Sequence, residues 1–262
     1  MKIVYLGDIV ARPGREAVKQ SIRILKERYA FDALIANVDN AAHGFGCTPK
    51  ICTQLLEAGV SAFVTGDHVW NQKEIFSFLD DNKRIVRPLN YAPSLPGTGA
   101  REIPTDNGKK LLLIEVVGRV FMEAVDCPLK TTDAVLEKYT LGQNIDAVFI
   151  DIHAEATAEK QAFARYFDGR VSAIIGSHTH VPTNDAVILP NGTAYQTDSG
   201  MCGDYNGVIG FNPQTPIERL KDKFSSSRLE PCSGKGTVCG TFVQTDDTTG
   251  LAIAVEAFKL IP

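Results

Sequence analysis

The chain has 262 residues, 44% of them apolar, with a formal net charge of −4, which suits one large α/β domain whose core needs no cross-links. That balance excludes the basic footprint of a duplex nucleic-acid binder. The longest apolar runs, such as 111–117, are strand-sized and fall short of the roughly 20 residues a membrane span needs. The opening MKIVYLGD runs straight into an acidic residue. With no apolar signal region or small-residue cleavage site, a cytoplasmic location is expected. Within it, 2–7 is a short apolar run expected as a buried strand. Apolar Val18, Ile22, Leu25 and Tyr29 keep helical spacing, so a helix is expected over 14–29. Residues 33–38 return to a strand pattern. Thr48 is an N-cap candidate with Pro49 at the first position of a helix over 49–58. A strand at 61–65, a helix at 72–80, a strand at 145–152, a helix at 158–167 and a strand at 171–176 continue the alternation. The Pro- and Gly-rich stretch 88–105 is expected as a long irregular loop, either a lid over a site or a plain surface excursion. In the C-terminal third, 193–197, 236–244 and 251–259 are expected as strands joined by turns such as 246–250, in antiparallel sheet. The whole pattern predicts an α/β layered sandwich with helices outside a central sheet, with 1–262 as a single domain.

The six cysteines form no CxxC pair and match no zinc-finger spacing, so free thiols are expected. The chemistry lies elsewhere, at the strand ends. Asp8 follows KIVYLG, Asp39 and Asn40 follow ALIANV, and Asp67 and His68 follow AFVTG. His153 follows AVFID, and His178 and His180 follow SAIIGS. Ligands of open α/β sheets bind outside the carboxyl ends of the strands. Four of the five histidines fall in this set; the fifth, His43, lies just past Asn40. Each element alone has a bland reading. Asp8 would serve as a cap or turn residue, Asp39-Asn40 as an Asx turn, Asp67-His68 as a loop hydrogen-bond pair and His153 as a structural histidine. The His178-Thr179-His180 triplet is more specific, because residues two apart in an extended segment face the same way. One dinuclear metal site accounts for all of them together. No nucleophile elbow or Walker lysine motif supports serine-hydrolase or P-loop chemistry.

The blocks GDIVARPGREAV, ANVDNAAHGFG, TGDHVW, DIHAEATAEK, GSHTHVPT and TDSGMCGDYNGVIG resemble, in order, the YmdB-like branch of bacterial calcineurin-type metallophosphoesterases. The resemblance runs from Met1 to about Phe211 and more weakly beyond. It implies a four-layer αββα sandwich of the calcineurin-like metallophosphoesterase fold and two metal ions, divalent or mixed-valence, iron or manganese. By position, one metal would take Asp8, Asp39, Asn40 and His180. The other would take Asp39, Asp67, His153 and His178, with Asp39 bridging. His68 would stand beside the substrate as general acid, and Asn40 would also help stabilise the developing charge. The resemblance further implies a homo-dimer or tetramer. Two positions depart from the family pattern, which has Glu at Asp39 and Asn at Asp67. A shorter bridging side chain and an added carboxylate bear on metal preference and rate, while both remain oxygen donors.

The function so implied is hydrolysis of a small phosphodiester, 2′,3′-cyclic nucleotides above all, by a hydroxide bridging the metals. Two further readings stay open: a phosphomonoesterase acting on nucleotides or phosphoproteins, and a regulatory metal-binding protein with weak catalysis. Residues 199–210 read equally as a glycine-rich wall of the site or as an ordinary turn-rich connection.

Overall fold

The computed structural model describes residues 1–223 and 227–262. Four of the five residues of the first strand, β1 (Lys2–Leu6), are buried, so both of its faces must be covered. Successive side chains point to opposite faces: Val4 and Leu6 enter one apolar cluster, Ile3 and Tyr5 another. Numbered in chain order, the strands of the first sheet run β2 (Asp8–Ile9), β12 (Met201–Gly203), β13 (Thr237–Thr245), β1, β3 (Ala33–Asn37), β4 (Ala62–Val64) and β5 (Ile85–Val86). The strand β14 (Ala252–Leu260) pairs antiparallel along β13, so β12 and β1 lie end to end on the other edge of β13. The second sheet runs β10 (Val187–Ile188), β11 (Ala194–Gln196), β9 (Ala173–Ser177), β8 (Ala147–His153), β7 (Lys110–Val117) and β6 (Ala100–Pro104).

The two sheets face each other. Ile3, Tyr5, Ile35 and Val64 of the first meet Leu111, Leu113, Phe149 and Ile175 of the second, and the rings of Tyr5 and Phe149 stack with centroids 5.2 Å apart. Helices α1 (Ala11–Tyr29), α2 (Pro49–Ala58) and α3 (Ile75–Asp81) cover the outer face of the first sheet, burying Val18, Leu25, Leu55 and Leu79 with Val4 and Leu6. Helices α4 (Pro128–Leu136) and α5 (Thr157–Phe167) cover the second, placing Leu136, Phe163 and Phe167 against Leu112, Ile114 and Ile150. Helix α6 (Gln214–Asp222) lies outside these layers, with only Thr215 buried. Helix, sheet, sheet, helix is the αββα sandwich that the family resemblance implied; the element pattern alone predicted one central sheet, and the strands divide between two.

Local chemistry fixes several ends. Thr48 caps α2 through its side-chain oxygen, which accepts the Ile51 N–H at 3.4 Å. Gly59, at φ 114°, closes the same helix in the left-handed conformation. Three expectations need correction. Helix α3 starts at Ile75 and not at 72, because a 3₁₀ turn at Val69–Asn71 occupies the preceding segment. The supposedly irregular 88–105 contains β6, an edge strand antiparallel to β7. In the C-terminal third, β13 and β14 are antiparallel as expected, but β11 belongs to the other sheet and runs parallel to β9. Among the described residues, no helix is long and apolar enough to cross a membrane.

Candidate metal centre

Strands β1, β3 and β4 are mutually parallel, and so are β8 and β9. Their carboxyl ends deliver Asp8, Asp39, Asp67, His153 and His178 to one edge of the sandwich. Asp8, Asp39, Asn40, His153 and His180 are all buried there, while Asp67, His68 and His178 are half-buried. His43 is the histidine left out: it is exposed and meets Glu230 Oε2 at 3.1 Å.

His153 sits at the centre. Its Nε2 lies 3.0 Å from Asp67 Oδ1, 3.1 Å from His178 Nδ1 and 3.5 Å from Asp39 Oδ2. His178 Nδ1 is 3.4 Å from the same Asp67 oxygen, and its Nε2 is 3.4 Å from Glu155 Oε2. A second group forms around His180, whose Nε2 stands 3.2 Å from Asn40 Oδ1 and 4.0 Å from Asp8 Oδ1. Asp8 Oδ2 accepts the His178 backbone N–H at 3.2 Å. Asp39 accepts the backbone N–H of His68 on both oxygens, at 3.1 and 3.2 Å. One ring nitrogen of His68 lies within 4.8 Å of carboxylate oxygens of both Asp39 and Asp67. Its ring meets Phe45 edge-on at 5.1 Å. All the residues expected at the site are thus brought together. Above them opens a cleft of about 450 Å³, walled by Phe45, Val181, Ile209, Phe211 and Leu229. No residue of 88–105 lines it.

The hydrogen-bond chemistry identifies what this cluster can hold. Ser177 Oγ donates to Asp151 Oδ1 at 2.7 Å and lies 2.8 Å from His153 Nδ1. With Asp151 ionised, Ser177 commits its proton there and accepts from Nδ1–H, which leaves a lone pair on His153 Nε2. That lone pair faces the Asp67 carboxylate. The same holds for His180: Nδ1 meets the Ile209 carbonyl at 2.9 Å, so Nδ1 carries the proton and Nε2 is bare. Asn40 Nδ2 donates to the Gly44 carbonyl at 2.9 Å, which turns Oδ1, another acceptor, toward that bare nitrogen. Asp8 Oδ1 is buried with no hydrogen-bond partner. Acceptors crowded against acceptors repel unless a cation lies among them. The alternative of charged imidazoles is opposed at His153, where burial lowers the affinity for a proton, whereas at His178 burial is outweighed by Asp67 and the affinity rises. Oxygen and imidazole donors of this kind fit first-row metal ions.

Carboxylates deepen the deficit. Burial, then Asp67 and Asp8, push the Asp39 carboxyl up. Beneath the cluster lie two acids that the sequence reading missed. Asp151 accepts from Tyr5 at 2.8 Å and Asn37 at 3.1 Å, and burial pushes it up to about 8 despite these bonds. Glu115 is pushed up by burial and by Asp151, and its Oε1 has no partner. Asp151 was legible in principle, since it stands two residues before His153 on one strand face. Glu115 was legible as the lone charge in the apolar run of β7. Residues 199–210 border the site through Ile209, whose carbonyl sets the His180 ring.

Comparisons with known proteins show what the whole chain is similar to. The family model described as YmdB-like protein matches residues 4–258. A Bacillus subtilis (strain 168) protein named 2′,3′-cyclic-nucleotide 2′-phosphodiesterase is 42% identical over 256 residues, covering 98% of this chain and 96% of its own length. A crystal structure of a hypothetical protein from Thermus thermophilus is 38% identical and superposes with a TM-score of 0.92, with 100% of both chains covered. A crystal structure of a novel phosphatase from Mycoplasma pneumoniae also gives 0.92 at 34% identity, covering 100% of this chain and 93% of that one.

Proposed function

The chain belongs to the YmdB-like protein family, and from that premise we propose that it is a metal-dependent phosphodiesterase acting on 2′,3′-cyclic nucleotides. The carrying observation is the cluster of imidazole nitrogens and carboxylate oxygens around His153 and His180, a donor set that fits metal ions. In this reading Asp8, Asn40 and His180 hold one ion, and Asp67, His153 and His178 the other, with Asp39 shared. Iron or manganese suits the mixed oxygen and imidazole donors. The bound ions would supply Lewis acidity toward the phosphoryl oxygens and an activated water.

The protein's own groups do the rest. Ser177 and the Ile209 carbonyl keep His153 and His180 in the tautomers that present Nε2. Asp39, gripped by the His68 backbone, ties the His68 ring to the cluster. His68 stands on the cleft side with Phe45 at its edge and delivers a proton from its ring to the leaving ribose oxygen. Phe45 and the aliphatic wall of Val181, Ile209 and Leu229 give an apolar surface on which a nucleobase can rest.

The test is elemental analysis of protein purified without a metal-affinity tag, paired with turnover of bis-p-nitrophenyl phosphate and of 2′,3′-cyclic nucleotides, before and after adding Mn²⁺. About two metals per chain and metal-dependent diesterase activity are expected. Bound metal with turnover of monoesters only would shift the assignment to a phosphomonoesterase. Bound metal with no turnover would shift it to a regulatory metal protein. No metal and no rescue would overturn the reading.

A further inference from the structure

We propose that Lys160 is a positioning residue for the turn that carries His178 and His180, acting through the Ser177 carbonyl and Asp198. Lysine is almost never fully buried unless paired, yet Lys160, in the first half of α5, has 0% exposure. Its Nζ donates to Ser177 O at 2.7 Å and to Asp198 Oδ2 at 2.9 Å. The same Asp198 oxygen accepts the Thr179 backbone N–H at 3.1 Å and its hydroxyl at 2.8 Å. The other oxygen accepts the Gly200 N–H at 2.8 Å. One buried ion pair therefore grips the turn at its entry and at its apex.

The turn needs such a grip. His178 and His180 sit at φ 91° and 65°, in the left-handed region that side chains disfavour. Two such residues flanking one threonine persist only where their surroundings over-determine them. Space has been made for the lysine stem: a Cβ at Gly176 would lie 3.0 Å from Lys160 Cδ and 1.8 Å from Thr197 O. The same turn reaches His153, because Ser177 Oγ lies 2.8 Å from its Nδ1. An apolar filler would serve packing as well as a buried ion pair. What the pair adds is the direction of its hydrogen bonds. Lys160 touches none of the candidate ligand atoms; it acts through residues 177 and 179.

Only the consequence for catalysis rests on the metal reading above; the positioning itself is a property of the metal-free protein. The variants are Lys160→Met, Asp198→Asn and the double variant, which leaves no unpaired buried charge. The readouts are thermal melting, the ¹⁵N-edited imidazole spectra of His178 and His180 without metal, metal affinity by chelator competition, and kcat and KM on bis-p-nitrophenyl phosphate. The double variant is expected to melt near the parent, while its two imidazole signals broaden or split. Metal affinity should fall about 10- to 100-fold, as for other groups that orient ligands, with kcat reduced and KM little changed. Parent-like imidazole signals and metal affinity in a folded double variant would overturn the proposal and leave the pair a packing element. If the double variant does not fold, Thr179→Val, which removes the hydroxyl's bond to Asp198 and its longer contact with the Val181 N–H, is read the same way. A parent that binds no metal would sink the metal reading while leaving the imidazole spectra to decide this one.

Discussion

Gly66 offers the smallest perturbation with the largest expected effect. It lies between β4 and Asp67 and lacks a positive φ, so its backbone tolerates alanine. The space does not. A Cβ there would sit 2.5 Å from His153 Nε2 and 2.7 Å from Asp39 Cγ. Comfortable contact needs about 3.5 Å, so Gly66→Ala must push the central imidazole or the shared carboxylate by about 1 Å. Overpacking of this kind costs about 1–3 kcal/mol, which a domain of ordinary stability of about 5–15 kcal/mol survives. A misplacement of about 1 Å at reacting groups is worth about 10²-fold in rate. The variant should therefore fold, melt a few degrees lower, lose metal and lose about two orders of magnitude of diesterase turnover. Elemental analysis, melting and bis-p-nitrophenyl phosphate assays on one preparation decide it. Parent-like metal content and turnover in folded Gly66→Ala would refute the claim that His153 Nε2 and Asp39 converge on one ion.

Three other outcomes are expected. His178→Ala and His153→Ala should lower metal content and activity together, whereas His68→Ala should keep metal and slow turnover by about 10²–10⁴-fold; loss of both metals in His68→Ala would erase the division between ligand and acid. Metal-free protein should show a pH-dependent melting temperature. Asp151 is held up at about 8, chiefly by burial, from an ordinary 3.8. A carboxyl raised on folding contributes stability that is present below its ordinary value and lost as pH rises through the folded one. Melting after chelation should therefore fall between about pH 4 and about pH 8, and a flat profile across that window would contradict the buried acid beneath the cluster. Finally, Phe149→Ala empties the space between the sheets, where the ring is 0% exposed. It should cost about 3–5 kcal/mol in urea unfolding, and a loss below about 1 kcal/mol would mean that the intersheet core repacks freely.

The β–α alternation, the Thr48 cap, the C-terminal end of α1 and both ends of α2 were legible because they depend on local spacing and backbone chemistry, whereas α1 begins at Ala11, three residues before the expected start. The gathering of Asp8, Asp39, Asp67, His153 and His178 was legible for a related reason: parallel strands point their carboxyl ends the same way. What escaped depends on tertiary context. The Pro- and Gly-rich lead into β6 hid an edge strand whose partner, β7, follows it across a turn. Strand β11 reads like its antiparallel neighbours in sequence, and only its pairing with β9 assigns it to the second sheet. Lys160 escaped because a lysine on an amphipathic helix is ordinarily read as solvent-facing. Asn37 and Ser177 escaped because short polar side chains carry no signal until their partners, Asp151 and His153, are in place.

The distribution of backbone strain points to the same edge of the molecule by a separate route. Among the described residues, non-glycine side chains with positive φ are Ala11, Ala30, His43, Phe121, His178, His180, Ile209 and Lys223. Ala30 and Lys223 close helices, where the left-handed conformation is the ordinary C-cap. Of the rest, Phe121 is exposed and apart from the cleft, while Ala11 donates its N–H to Asn40 O at 3.0 Å, His43 follows Asn40 in the same loop, and Ile209 meets the ring of His180, two residues past His178. A β-branched residue such as Ile209 is especially costly at φ 47°. Its carbonyl is what holds Nδ1 of His180 at 2.9 Å. Strain of about 1–3 kcal/mol per residue would be lost from a chain under no demand beyond folding. It is retained where it aims a carbonyl at a ring nitrogen and two imidazoles at one cluster. The conflict between local preference and observed conformation is thus concentrated where the acceptors converge, as expected if that convergence is the reason the fold bears the strain.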